Sequence, residues 1–241
     1  RRERALTVPG AGAQGVHTAV EFLTGVTKGL LEGGPPPISA KGLPVVVVGG
    51  GDTGADCVAT CIRQGAKSVA QFEIVAAPPP KRAPGNPWPL WPKVLKPNYA
   101  REEARALYGR DICRYETTVQ AVHTQNGRVT GVTAVQVDWS GGAPKPIPGT
   151  EQYVEAGLVL TAMGFIGTET ALPDALGLPL GPRGTIQASE AQAYGTGGYR
   201  TSLPGVFAAG DARRGPSLVV WAIREGRQAA LACHAYLSAR P

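Results

Sequence analysis

Val45-Val46-Val47-Val48-Gly49-Gly50-Gly51-Asp52-Thr53-Gly54 is the stretch that decides the fold. Four consecutive valines suit a strand covered on both faces, because a strand inside a parallel sheet has no solvent side. The glycines that follow read G-x-G-x-x-G and lead into a helix that runs to Arg63–Gln64 and stops at Gly65. A β-rich run, Ser68–Val75, completes a βαβ unit. In that setting the three glycines do different things. Gly49 permits a tight turn, Gly51 lets the backbone approach a pyrophosphate, and Gly54 lets helix and strand pack closely. The unpaired N–H groups and positive dipole end of the helix then face the phosphates. Gly49, Gly51, Asp52, Thr53 and Gly54 are therefore candidate dinucleotide contacts. The plainer alternative is a glycine-rich turn in an unrelated α/β fold; strand, loop and helix in this order favour the dinucleotide.

Just beyond, two features read the ribose in opposite ways. Glu73, at the end of the second strand, stands about where an acid would bind the 2′-hydroxyl of NAD. Lys81 and Arg82 follow and would hold the 2′-phosphate of NADP, or are a solvated pair on a loop. The sequence leaves NADH and NADPH open. Residues Pro78–Pro97 carry eight prolines and two tryptophans in twenty residues, which predicts an extended loop.

Farther out, a helix is expected over Val16–Leu31 between two Gly/Pro-rich segments, and a short charged helix over Tyr99–Tyr108. Asn126-Gly127 suits the positive φ of a hairpin turn, so an antiparallel meander is expected over Tyr115–Trp139. Two further buried strands are expected, Leu158–Ala162 and Gly205–Ala209, and a last helix from about Ser217 to Ala239. The run Thr201–Asp211 resembles the second FAD fingerprint of two-dinucleotide flavoproteins, and Leu158–Gly164 resembles their intervening fingerprint. By that resemblance Asp211 would bind the ribityl chain, Gly210 and Gly164 would allow close approach, and the helix start at Ser217, Leu218 and Val219 would offer N–H groups to a reduced flavin.

The 241 residues are 43% apolar and 17% charged, a globular composition for one large or two modest units. No apolar run nears the roughly 20 residues that span a bilayer, so no membrane association is expected. The net charge is +6, but basic residues are interspersed with acids and lack interleaved aromatics, which argues against nucleic acid. Cys57, Cys61, Cys113 and Cys233 form no CxxC, and His17, His123 and His234 are scattered, so neither a disulfide scaffold nor a metal site is expected. Cys57 and Cys61, four apart on one helix, are expected to pack as small apolar groups.

The words GGGDTGADC (Gly49–Cys57), IRQGAKS (Ile62–Ser68), RAPGNPWPLWP (Arg82–Pro92), LVLTAMGF (Leu158–Phe165), VFAAGDARRGPSLVVWAIREGRQAA (Val206–Ala230) and GVHTAVEFL (Gly15–Leu23) together resemble the small (β) subunit of glutamate synthase, or the equivalent C-terminal region of the fused NADH-dependent form. The resemblance covers nearly the whole chain and departs at Ala11–Gln14, Ala212 and Pro216. It implies a glutathione reductase-like, two-dinucleotide-binding α/β fold, with a Rossmann-like NAD(P)H domain (residues 43–160) inserted in a partial FAD domain built from residues 1–42 and 161–241. It also implies hydride transfer from NAD(P)H to FAD, with FMN and iron–sulfur clusters elsewhere in the complete enzyme. The implied partner is the large subunit or fused synthase region, inside the cell in cytoplasm or plastid. On this reading the chain is the C-terminal portion of a longer region and does not make glutamate by itself. Two other readings stay open: another NAD(P)H:FAD oxidoreductase sharing this module, and a truncated, non-catalytic cofactor-binding or interaction module.

Overall fold

The computed structural model describes residues 2–88, 93–95, 98–189 and 198–239. In chain order the elements are β1 (Val16–Thr18), α1 (Ala19–Glu32), β2 (Pro44–Val48), α2 (Asp52–Arg63), β3 (Ser68–Phe72), α3 (Tyr99–Tyr108), β4 (Cys113–Arg114), β5 (Thr117–Gln125), β6 (Arg128–Asp138), β7 (Lys145–Pro146), β8 (Gln152–Glu155), β9 (Leu158–Thr161), α4 (Ala171–Ala175), α5 (Asp211–Arg214) and α6 (Val219–Ser238). They fall into two compact units, residues 5–163 and residues 1–4 with 164–241.

The larger unit is built on a parallel sheet in the order β1-β9-β2-β3-β4. Its valine run behaves as a doubly covered strand should. Val45 and Val47 pack with Phe22 of α1, Cys57, Val58 and Cys61 of α2, and Ala100 and Ala104 of α3. Val46 and Val48 face the other way and join Val119, Val122, Val129 and Val132 of the β5–β6 hairpin. One strand thus seals two cores, and period-2 alternation assigns each valine to one of them. The hairpin turns at Asn126 and Gly127, both at positive φ (52° and 76°), as expected from that dipeptide. Local caps set the helix ends: Thr18 Oγ1 accepts from Glu21 N at the start of α1, Asn98 Oδ1 accepts from Arg101 N at the start of α3, and Gly33 and Gly109 close the two helices in the left-handed region.

The observed division differs from the expected boundaries after residues 42 and 160. Val16–Thr18 is a strand, not the first turn of a helix, and it pairs in register with Val159–Thr161. That pairing, together with Phe22 in the core, makes the N-terminal helix part of the larger unit. The segment Pro78–Pro97 forms no helix or strand among its described residues, while residues 89–92 and 96–97 of it lie outside them.

In the smaller unit, Glu3 pairs with Phe165, Leu180 with Ile186, and Arg200 with Phe207, each as an isolated antiparallel bridge. The strand expected over Gly205–Ala209 is therefore a single bridge at Phe207: Val206 N turns back to Leu203 O, and Val206 O is taken by Thr201 N, so the segment is a tight loop. Leu178, Ile186 and Ala208 form its small apolar core. Helix α6 starts at Val219 with Leu218 as its cap, two residues after the expected Ser217.

Candidate functional site

Two constellations emerge, one in each unit. In the larger unit the chain steps outward from β2 through β3 to β4 and returns as β9 on the other side of β2, so the strand order reverses between β2 and β9. Ligands of open α/β sheets bind outside strand C-termini at such a switch point. Gly49 occupies it. Its φ is +126°, and a Cβ there would stand 2.2 Å from Ala162 O, so both the backbone conformation and the neighbouring strand require glycine. A Cβ on Gly54 would stand 2.2 Å from Gly49 O, which is the close helix–strand packing expected of this position. Gly51 differs from both: a Cβ would meet nothing within 4 Å, and it caps α2 without any side-chain hydrogen bond. The loop thus presents a helix N-terminus with open space over its second glycine. Asp52 and Thr53 form the first turn of α2 beside it, Asp52 exposed and Thr53 half-buried.

Two side chains from β3 and its exit hold the loop. Glu73 Oε2 accepts from Gly50 N at 2.7 Å, and Glu73 Oε1 accepts from Val75 N at 3.1 Å. Gln71, 1% exposed, donates from Nε2 to Gly49 O at 2.9 Å. Glu73 is thereby tied to the glycine loop through the Gly50 backbone. Lys81 and Arg82 are exposed, and the Arg82 guanidinium donates to Asn86 O at 3.0 Å, an interaction inside its own loop. Sequence reading missed Gln71; its signal was a polar residue in an otherwise apolar buried strand. Behind the loop, burial pushes the Cys57 thiol up to about 12, helped by the Asp56 carboxylate, and raises Cys61 as well.

In the smaller unit, Gly210, Asp211, Ser217 and Val219 come together with Ala209, Ala222 and Gly226 around an open cleft of about 450 Å³. Asp211 opens α5, and Ser217 Oγ lies 3.4 Å from its Oδ1. Leu218 is the cap of α6, is 55% exposed and does not line the cleft. Gly164 stands apart from this group; its φ is +80° and its carbonyl accepts from Arg4 N. Gly210 adopts φ 59° and ψ −143°, a conformation open in practice to glycine alone.

The residue that organises this turn was not singled out from sequence. Glu225, on α6 and 2% exposed, accepts from Gly210 N (2.9 Å), Arg213 Nε (3.2 Å), Arg213 Nη2 (2.6 Å) and Arg214 Nε (3.0 Å). Burial works to raise the Glu225 carboxyl, but the hydrogen bonds from the two arginines outweigh it and hold the group below the usual glutamate range. Arg213 lies over the Tyr199 ring at 5.1 Å, and Arg214 over Trp221 at 4.2 Å. The available signal was an acid on a helix that follows an Arg-Arg pair, a pattern too common to choose without the fold.

Comparison with known proteins agrees with this architecture. The family described as pyridine nucleotide-disulphide oxidoreductase matches residues 1–226. The glutamate synthase [NADPH] small chain of Mycobacterium tuberculosis is 44% identical over 241 residues, covering 97% of this chain and 47% of that protein. The glutamate synthase [NADH] of Schizosaccharomyces pombe is 40% identical over 236 residues, covering 94% of this chain and 11% of that protein. The chain therefore spans about half the length of the small chain and about a tenth of the longer enzyme. Among solved structures, T. acidophilum thioredoxin reductase superposes with a TM-score of 0.61 at 22% identity, covering 99% of this chain and 64% of that one. Mycobacterium tuberculosis FprA in complex with NADPH gives 0.63 at 15% identity, covering 98% and 62%. At these identities the two structures speak to the fold, which is of the thioredoxin reductase type. A match over residues 1–226 of 241 settles the affiliation: the chain belongs to the pyridine nucleotide-disulphide oxidoreductase family.

Proposed function

We propose that this chain is part of the electron-input module of a glutamate synthase, binding NAD(P)H at Gly49–Gly54 and contributing Gly210, Asp211 and the start of α6 to an FAD site. The observation that carries this reading is identity of 40–44% over nearly the whole chain to glutamate synthases, in a chain whose glycine loop has the required shape. The residues fit the groups. Open space at Gly51 and the uncapped N-terminus of α2 form a cradle for a pyrophosphate, with N–H donors aimed at negative charge. The cleft at Gly210–Asp211 offers a carboxylate for a polyol hydroxyl and a helix N-terminus for developing negative charge. When bound, the nicotinamide donates a hydride and the flavin accepts it; the protein binds, orients and tunes.

In that division of labour Gln71 and Glu73 fix the glycine loop before nucleotide arrives, so little ordering accompanies binding. Gly164, Leu218, Lys81 and Arg82 are assigned lesser roles, Gly164 as the chain's passage between the two units. The partner is a large subunit or fused synthase region carrying FMN and iron–sulfur centres, and the setting is intracellular. No helix among the described residues is long and apolar enough to cross a membrane.

The test is made in the full-length protein that carries this chain. Asp211→Ala is expected to purify folded, to bind NAD(P)H as the wild type does, and to lose flavin. Full flavin occupancy in that variant overturns the role given to Asp211.

A further inference from the structure

We infer that Glu225 is the positioning residue of the flavin-side cleft: one buried carboxylate that ties the Gly210 backbone and both arginines of α5 to α6, and so fixes the shape and charge around Asp211. The inference rests on the reading that this cleft holds flavin.

The geometry is that of a hub. Oε2 takes Gly210 N and Arg213 Nε, while Oε1 takes Arg213 Nη2 and Arg214 Nε. Four donors from three residues of one turn thus converge on two oxygens, which is the full use a carboxylate makes of its lone pairs. A second tie runs in parallel. Tyr199, 2% exposed, lies under the Arg213 guanidinium and donates its hydroxyl to Gln228 Oε1 at 2.6 Å. Gln228 and Glu225 are three apart on α6 and share a face, so α6 grips Arg213 directly and through the ring.

Two consequences follow for the cleft. The strained backbone of Gly210 sets the direction in which Asp211 leaves the turn, and Glu225 holds that backbone from α6 through the Gly210 N–H. The charge is also set here: Arg213, Arg214 and Glu225 together keep one net positive charge, with the Asp211 carboxylate beside them in the cleft lining. A buried ion pair is a weak source of stability compared with apolar packing of like volume. What the acid adds at this place is a fixed arrangement and a counter-charge.

The experiment uses the full-length, flavin-loaded protein and compares Glu225→Gln, Glu225→Asp and Arg214→Gln with wild type. Readouts are thermal midpoint, FAD affinity on reconstitution, and the midpoint potential of the bound flavin. Glu225→Gln presents an amide N–H₂ to guanidinium N–H groups, so FAD affinity is expected to fall on the order of tenfold. Its flavin potential is expected to move positive, because two unneutralised guanidiniums favour added negative charge. Glu225→Asp keeps the charge and shortens the reach; affinity falls while the potential stays near wild type. Arg214→Gln removes a positive charge and moves the potential negative, which keeps the idea testable should Glu225→Gln fail to fold. A lowered thermal midpoint with unchanged potential in both Glu225→Gln and Arg214→Gln would mark a merely structural role and overturn the inference. A wild-type protein with no flavin would instead overturn the cofactor reading on which it stands.

Discussion

The backbone N–H of Gly50 donates to Oε2 of Glu73 over 2.7 Å, so the carboxylate at the exit of β3 is folded onto the loop that follows β2. With nucleotide bound at the proposed site, a carboxylate in that place would accept from ribose hydroxyls and repel a 2′-phosphate. We expect the protein to use NADH better than NADPH. Glu73→Gln keeps an oxygen for Gly50 N and removes the charge, so the preference should narrow, on the order of tenfold given the energy of one partly screened charge pair. Steady-state kcat/KM with both nucleotides checks this, and an unchanged ratio removes Glu73 from cofactor selection.

The three glycines of the loop should separate cleanly on substitution. Gly51 has φ −76° and open space around its absent Cβ, so Gly51→Val should leave the thermal midpoint within a few degrees while NAD(P)H affinity falls by at least about tenfold. Gly49→Ala meets both a positive φ and Ala162 O, and should cost about 2–4 kcal/mol of stability from backbone strain and overpacking. Urea unfolding and nucleotide titration of the two variants check the contrast; equal nucleotide binding by Gly51→Val and wild type sinks the loop assignment.

How much of this was legible in the sequence depends on the range of the forces involved. Local signals carried well: Asn98 and Gly109 bracket α3 at Tyr99–Tyr108, and Asn126-Gly127 turns the hairpin where positive φ is demanded. The valine run announced a doubly covered strand because burial on both faces leaves no polar alternation. Long-range pairings were not legible. Val16–Thr18 has no strand signature of its own and becomes β1 only because Val159–Thr161 offers a partner. Val206–Ala209 has strand composition, yet Thr201 and Leu203 draw it into a tight loop with one bridge. In the candidate sites, glycines announced themselves through backbone requirements, whereas Gln71 and Glu225 act across 22 and 15 residues and needed the fold to be recognised.

The cysteines of α2 give a chemical prediction. Cys57 and Cys61 are fully buried, and burial holds both thiols far above neutral pH, Cys57 at about 12. Since the thiolate is the reactive form, neither should react with a disulfide reagent at pH 8 in the folded protein. Cys233, half-buried, should label first; Cys113 should lag, its thiol raised by burial. Mass mapping after timed labelling checks the order. Rapid native modification of Cys57 or Cys61 would contradict the packing of α2 against β2.

Acid should loosen the smaller unit through Glu225. Its carboxyl is held below the ordinary glutamate value of 4.5 in the folded state, against the pull of burial, by Arg213 and Arg214. A depressed folded value means that the unfolded chain takes up the proton first as pH falls. The stabilisation is complete above 4.5 and is lost progressively below it, as pH drops through the folded value. The arginines stay charged across this window, so protonation leaves two guanidiniums facing a neutral acid. At pH 7, Glu225→Ala should cost roughly 3 kcal/mol, the low end for breaking a buried pair, because Arg214 keeps 35% exposure and can turn towards water. Glu225→Gln cannot titrate, so its stability should fall less steeply than that of wild type between pH 5 and pH 3, the other carboxylates being common to both. Urea midpoints measured at half-unit steps across that interval check the slope. Parallel curves for the two proteins would show that Glu225 contributes no proton-linked stability, and would leave the arginine pair without the electrostatic role given to it here.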